Sequence, residues 1–152
     1  MGNEKLKSFA NRLRLSSQFV ANKTATYFSD NAISSIVEDF NRKQLEGGGD
    51  SEGDGLGEYS PQRIEERLAA GKQVDWIDLN FTGEAYERIE ARGQLAGNKP
   101  SLVIEGLGDK WDSIREDNRF NMAVGLTQKN IDIVGNMLAD HLTKELTQYW
   151  TV

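Results

Sequence analysis

Residues 127–149 read TQKNIDIVGNMLADHLTKELTQY, the most regular stretch of the sequence. Its apolar residues recur every three or four positions, as on one face of an α-helix: Ile131, Val134, Leu138, Leu142, Leu146 and Tyr149. Lys144 lies near the end of the pattern, where the helix dipole favours positive charge. The stretch predicts an amphipathic terminal helix over residues 127–150, whose apolar face needs a surface to pack on.

Two segments upstream of this helix are rich in β-forming residues. Residues 101–105 (SLVIE) follow a Gly-Asn-Lys-Pro turn and predict a strand. Residues 74–79 (VDWIDL) mix β-formers with alternating acids and predict another strand, which Thr82 and Gly83 end. The segment that follows, as far as Arg92, fits either a short helix or a second strand.

The N-terminal third predicts helices. Leu6, Phe9 and Leu13 fall near helical spacing, and a stronger apolar stripe runs from Phe28 to Leu45. Whether Ser16–Ser17 divides the region into two helices is left open by the pattern. The glycines that follow Glu46 end it by lowering helix propensity.

A glycine-rich segment and a helix start come next. Residues 46–58 contain six glycines and predict a flexible Gly/Asp loop. Ser60 and Pro61 then form a helix-start signal, since serine caps free N–H groups and proline suits the first helical position. The short helix is expected to stop at Gly71 and to turn Ile64 and Leu68 inward.

These segments predict one α+β domain over residues 1–152, with N-terminal helices, a small, mostly antiparallel sheet and a C-terminal amphipathic helix. Within it we distinguish a helical arm (1–45), the loop (46–58), a mixed α/β region (59–126) and the terminal helix (127–150). The length of 152 residues suits one ordinary domain.

Composition excludes several functional classes. The chain has no cysteine, which excludes disulfides, thiolate zinc sites and cysteine nucleophiles. A formal net charge of −6 argues against broad nucleic-acid binding, which depends on Lys and Arg neutralising phosphates. The N-terminus carries charges where a signal peptide would be apolar, and no apolar run is long enough to span a bilayer.

Three groups of residues could carry chemistry, and none makes a complete site. Asp50 to Gly55 matches the start of a calcium-binding EF-hand loop, but the twelfth position, where a bidentate Glu belongs, is Pro61. The alternative is a solvated Gly/Asp hairpin or loop. His141, the only histidine, has no neighbouring Cys or His, the sequence contains no Gly-x-Ser-x-Gly elbow, and the position suits the boundary of an amphipathic helix. Asp75 and Asp78 would lie on opposite faces of a regular strand. We therefore expect no enzyme, no catalytic or metal-binding residues and no cofactor.

Four aromatic residues are candidates for a protein interface. Trp76, Trp111, Tyr149 and Trp150 are large anchors of the type enriched at interface centres. Trp76 and Trp111 also suit an ordinary core. Trp150, close to the end of the sequence, is the stronger candidate for docking on a neighbour.

The order of several short motifs resembles small structural proteins of tailed bacteriophages, most closely those of Bacteroides-type and crAss-like phages. The resemblance covers roughly residues 40–146. It is carried by FNRKQL at 40–45, EYSP at 58–61, GKQ at 71–73, DLNFTG at 78–83 and VGLT at 124–127.

The resemblance implies a head–tail connector (neck) or tail-completion subunit that forms a ring and joins portal and tail. Its partners would be further copies of itself and neighbouring virion proteins. DNA would only pass through a channel, without sequence-specific binding, and no membrane would be involved. Such a protein is made in the bacterial host cytoplasm and resides in the virion. Within it, Tyr59 and Pro61 would fix how a loop enters a helix, while Thr82 and Gly83 would turn the chain.

Two other functions stay open at this point. The first is a small cytosolic protein-binding adaptor, which would be a stable monomer with one partner. The second is a metal-dependent hydrolase that uses the Asp50–Glu58 loop.

Overall fold

The computed structural model describes residues 2–150, without the side chains of residues 2–6, 8–10, 12, 13, 149 and 150. These residues form six α-helices and one two-stranded antiparallel sheet. In chain order the elements are α1 (Gly2–Phe28), α2 (Asn31–Glu46), α3 (Pro61–Ala69), α4 (Glu84–Glu87), β1 (Ile89–Ala96), β2 (Lys99–Gly106), α5 (Asp109–Arg115) and α6 (Gln128–Trp150). A 3₁₀ turn (Asn118–Phe120) follows α5. The predicted α+β class is confirmed.

The N-terminal region is divided at Ser29–Asp30, and α1 continues unbroken through Ser16–Ser17. Asp30 causes the second start, because its carboxylate accepts a hydrogen bond from the Ala32 backbone N–H at 2.9 Å. Helix α2 ends at the predicted glycines, where Gly48 takes a left-handed conformation with φ of 75°.

The two strands form a hairpin that packs against α1. They pair from Ile89 opposite Gly106 to Ala96 opposite Lys99, so the strand predicted at residues 101–105 is confirmed. The segment that allowed a helix or a strand contains both, α4 and then β1. Gly93 permits the close approach to α1, since a Cβ there would lie 2.1 Å from the backbone oxygen of Ala25.

The strand predicted over residues 74–79 is wrong. This segment is an irregular loop in which Ile77 and Asp78 are buried. Leu79 has a φ of 55°, a left-handed conformation that a strand cannot contain. The loop is shaped by hydrogen bonds to Asp78, described below, and not by pairing with another strand.

Helix α3 begins where predicted but buries a different side. Pro61 is its first residue, and the Ser60 hydroxyl accepts from the Arg63 N–H at 3.4 Å. Ile64 is half-buried as expected, but Leu68 is 59% exposed, so its predicted inward position is wrong. Arg67 is buried instead, with 1% exposed, because a carboxylate in the interior receives it.

The core has two hydrophobic clusters that meet at Ile104 of β2. The first surrounds the buried Trp111, and the second lies between the end of α1, α2, the hairpin and the start of α6. Helix α6 confirms the predicted terminal helix, and the Thr127 hydroxyl caps it by accepting from the Asn130 N–H at 3.4 Å.

Candidate interaction surfaces

Two of the sequence motifs that carry the phage resemblance bind each other. The Asn41 amide donates to the backbone oxygen of Gly125 at 2.8 Å, and the Gln44 amide donates to the same oxygen at 3.2 Å. The Gln44 side-chain oxygen also accepts from the Thr127 N–H at 3.2 Å. The FNRKQL and VGLT segments therefore form one junction that fixes the start of α6 on α2.

A second junction joins the EYSP and DLNFTG segments. The Tyr59 hydroxyl donates to Asp78 at 2.8 Å, and the guanidinium of Arg67 binds the other carboxylate oxygen at 3.0 Å. Gln73 donates to that oxygen at 2.7 Å. The Arg67 guanidinium also lies 4.4 Å from the centre of the Tyr59 ring. Burial raises the pKa of Tyr59.

The Thr-Gly turn lies at the other end of this junction. Gly83 has a φ of 87° and precedes α4, and the Thr82 hydroxyl accepts from the Glu84 N–H at 3.4 Å. The Tyr86 hydroxyl donates back to the Asp78 backbone oxygen at 2.6 Å. Burial, with the nearby Asp78 charge, raises the pKa of Tyr86 well above its ordinary value. The chain turns at Thr82 and Gly83 as predicted, but the turn follows a loop and not a strand.

The aromatic candidates lie in different environments. Trp111 is a core residue, 1% exposed, and its indole N–H donates to the Ala85 backbone oxygen at 2.7 Å. Trp76 is 41% exposed and donates to the Glu46 backbone oxygen at 2.8 Å. Tyr149 and Trp150 belong to α6, but their side chains lie outside the described residues.

The glycine-rich loop folds back as a hairpin. Gly49 and Gly55 form a bridge, and the Asp50 carboxylate accepts from the N–H groups of Glu52 and Asp54, both at 2.9 Å. One of its carboxylate oxygens is thus used to shape the loop. Among the described residues, no group of three potential ligands is placed to hold a metal ion.

His141 lies on the boundary of α6, as predicted. It is half-buried, and its ring stacks on Tyr27 with centroids 4.5 Å apart. This contact places His141 in the packing between α1 and α6.

An open cleft, called here the basic cleft, lies between α3 and the α5 region. It has a volume of about 630 Å³ and is lined by aromatic rings and by Arg63, Arg67, Lys110 and Arg119. Arg63 pairs with Glu66 at 2.5 Å, and Arg119 pairs with Asp117, which lowers the pKa of that carboxyl. The lining thus holds four cations and one acid, Glu58, and three of the four cations already have an acidic partner.

A second opening, called here the apolar groove, lies where the start of α6 crosses β2 and the end of α1. It has a volume of about 440 Å³. Six apolar side chains and two glycines line it: Phe28, Leu102, Ile104, Gly125, Leu126, Ile131, Val134 and Gly135. Ile131 is 48% exposed at its edge. The groove thus presents apolar surface that the described chain leaves open.

The first half of α1 extends past the rest of the molecule. Helices α1 and α6 run antiparallel. Two contacts show this: Tyr27 stacks on His141, and Lys23, four residues earlier in α1, pairs at 2.6 Å with Glu145, four residues later in α6. The same register brings the end of α6 level with about residue 18 of α1. The hairpin turn also ends there, since Asn98 lies beside Ser17 and Val20. Residues 2–15, called here the N-terminal extension, reach about 20 Å further.

The described side chains of this extension are exposed. Lys7, Asn11, Arg14 and Leu15 are the only ones described between residues 7 and 15, and all four face solvent. Leu15 is 49% exposed. An isolated amphipathic helix of this length is marginal in water, so a partner surface would stabilise it.

Comparison with known proteins returned no match: no protein-family model, no curated protein and no solved structure matches this chain. The phage resemblance therefore rests on the motifs described above. Of the described helices, none is long and apolar enough to cross a membrane.

Proposed function

We propose that this protein is a non-enzymatic virion structural subunit, a head–tail connector (neck) or tail-completion protein that assembles into a ring. The order of the motifs supports this class of protein. In the fold, the motifs hold the elements together, which is compatible with a structural role. They form two internal junctions, at Asn41–Gly125 and Tyr59–Asp78, that fix the arrangement of elements. Their role is architectural, as an assembly subunit requires.

One observation carries the proposal: two different surfaces, each with described side chains that are exposed, lie towards opposite ends of α1. The N-terminal extension projects from one end, and the apolar groove lies at the other, beside Phe28. A contact between two different patches is heterologous, and repetition of such a contact generates a ring when the rotation closes. A self-complementary dimer would need only one patch.

The charge of the chain suits a position around a DNA channel. The net charge is −6, so an acidic lining would repel DNA and ease its passage. Sequence-specific contacts are not part of this proposal. A basic channel lining in the assembled ring would contradict the proposed repulsion of DNA. It would not contradict the proposed ring.

The test is the solution mass of the purified protein by light scattering over a concentration series, alone and with portal or tail protein. The proposal expects a closed oligomer of defined copy number, formed alone or on addition of the neighbour. A monomer that ignores every virion component would contradict it.

The basic cleft favours a second function, a protein-binding adaptor. Lys110, with Arg63 and Arg119, would receive an acidic peptide, and the aromatic rings would pack beside it. This function predicts a monomer that binds one partner. Lys110→Glu would weaken that binding, whereas the ring proposal expects the substitution to leave the solution mass unchanged.

A further inference from the structure

We propose that the N-terminal extension of one copy docks in the apolar groove of the next copy. This inference rests on the proposed function and specifies the contact that would build the ring. The occupant is a second copy of this chain, and the docked segment is residues 2–15.

The extension cannot reach the groove of its own chain. In the antiparallel register of α1 and α6, Gly135 is level with about residue 33, beyond the end of α1. Residue 10 lies about 35 Å away along the helix axis, at 1.5 Å per residue. Because α1 is continuous through residue 28, the extension points away from the groove. Only another molecule can bring the two together.

The extension has the sequence pattern of a helix that binds in a groove. Leu6, Phe9 and Leu13 are spaced i, i+3 and i+7, the usual spacing of the anchors of such a helix. The groove supplies the complementary apolar wall. The contact would bury Ile131, which is 48% exposed, and cover an open apolar face of α6.

Gly135 is a second indication of an external partner. A glycine inside a helix costs about 1 kcal/mol relative to alanine. A Cβ at Gly135 would meet nothing within 4 Å, so packing within the described chain gives no reason for this glycine. It lines the groove, where the missing side chain lets another helix approach closely.

Charge also matches the extension to the body of another copy. Residues 1–15 contain four basic residues and one acidic residue, a net charge of +3. The net charge of the whole chain is −6, so the other residues carry a net charge of −9. A basic helix is attracted to an acidic body, which favours this contact over one between two extensions.

The experiment uses the absence of cysteine from the chain. In the double variant Ala10→Cys/Gly135→Cys, the two positions are too far apart for a disulfide within one chain, which needs Cα atoms within about 7 Å. Mild oxidation should therefore give a covalent ladder of chains, with the 10–135 link identified by peptide mass spectrometry. Controls are Asn11→Cys/Gly135→Cys and Ala10→Cys/Ile133→Cys, which should link at least ten-fold less.

A second variant pair tests the groove without cysteines. Ile131→Asp should dissociate the oligomer in light scattering, whereas Ile133→Asp, 37% exposed on the same helix and outside the groove, should leave the mass unchanged. Circular dichroism checks that both variants fold.

The outcomes separate this inference from the proposed function. A wild-type oligomer with no 10–135 link above controls, or one that survives Ile131→Asp, overturns the docking and leaves the ring. A 10–135 link in a closed dimer supports the docking and overturns the ring. A wild-type chain that stays monomeric both alone and with portal or tail protein overturns both.

Discussion

At the scale of single residues, the most telling feature is a buried charge. Arg67 and Asp78 are both buried and bind each other at 3.0 Å, and Tyr59, Gln73 and the Asn80 N–H also donate to the carboxylate. Removing one member of such a pair leaves an uncompensated charge in the interior. A buried pair adds little stability over well-packed apolar side chains, so we infer that this one serves to position the 74–79 loop.

Arg67→Met should lower the free energy of unfolding by about 3–5 kcal/mol, because Asp78 then stays buried without its cation. The measurement is urea denaturation followed by tryptophan fluorescence. Arg63→Met on the same helix is the matched control, since Arg63 forms an exposed pair with Glu66 and should cost about 1 kcal/mol or less. Equal losses in both variants would contradict the account of the buried pair.

The buried tyrosines should make stability fall at high pH. Burial raises the pKa of Tyr59 and Tyr86, so the folded chain holds these protons to higher pH than the unfolded chain. Their contribution is complete below about pH 10 and is lost as the pH rises from there towards the folded pKa values.

The expected slope is at most about 1.4 kcal/mol per pH unit for each tyrosine above about pH 10. Phenolate absorbance should show these tyrosines ionising later in the native protein than in denaturant. Tyr86→Phe should make the decline shallower. Tyrosines that all ionise at the ordinary value in the native protein would refute this reading.

At the scale of elements, the packing of α1 on the hairpin depends on Gly93. A Cβ there would lie 2.1 Å from the Ala25 backbone oxygen, which cannot rotate away as a side chain could. Gly93→Ala should therefore lower the free energy of unfolding by about 1–3 kcal/mol.

Gly135→Ala is the control for this prediction and should change the free energy of unfolding in the opposite direction. Its Cβ meets open space within a helix, so stability should rise by up to about 1 kcal/mol. Thermal and urea unfolding of both variants supply the values. A Gly93→Ala variant with the same free energy of unfolding as the wild type would show that α1 is not held closely on the hairpin.

The glycine-rich loop should report assembly through proteolysis. Residues 46–58 should be cleaved in the free subunit, where the tip of the hairpin is exposed, and protected in the ring. The bridge between Gly49 and Gly55 closes the hairpin but leaves Glu52 and Asp54 exposed at its tip. Equal cleavage in both states would remove the loop from the assembly account.

Sequence patterns predicted the elements that local chemistry determines. The strand at residues 101–105, the start of α3 at Pro61 and the terminal helix depend on side-chain periodicity and capping, which are local. The strand at 74–79 failed because Asp78 takes its partners from distant positions, Tyr59 and Arg67. With 24 acidic residues, the sequence could not indicate which one pairs with a buried arginine.

The candidate surfaces were predicted less well, for the same reason. Leu6, Phe9 and Leu13 were visible as a stripe, but the length by which α1 outreaches α6 depends on the register between two helices far apart in sequence. The apolar groove joins residues from α1, β2 and α6, and only the tertiary structure brings them together. Gly135 was the one available signal, as a glycine inside an otherwise regular helix.

At the scale of the whole molecule, the chain combines a basic projecting helix with an acidic body that carries an open apolar groove. The two surfaces lie towards opposite ends of α1, so joining them between copies gives a head-to-tail contact. In the proposed assembly, part of the attraction between copies would be electrostatic and should weaken as salt screens it.

The most direct test of the ring is the solution mass by light scattering over a concentration series, alone and with portal or tail protein. The account predicts a closed oligomer of defined copy number that Ile131→Asp dissociates and Ile133→Asp does not. A monomer at every concentration and with every virion component would contradict the central claim.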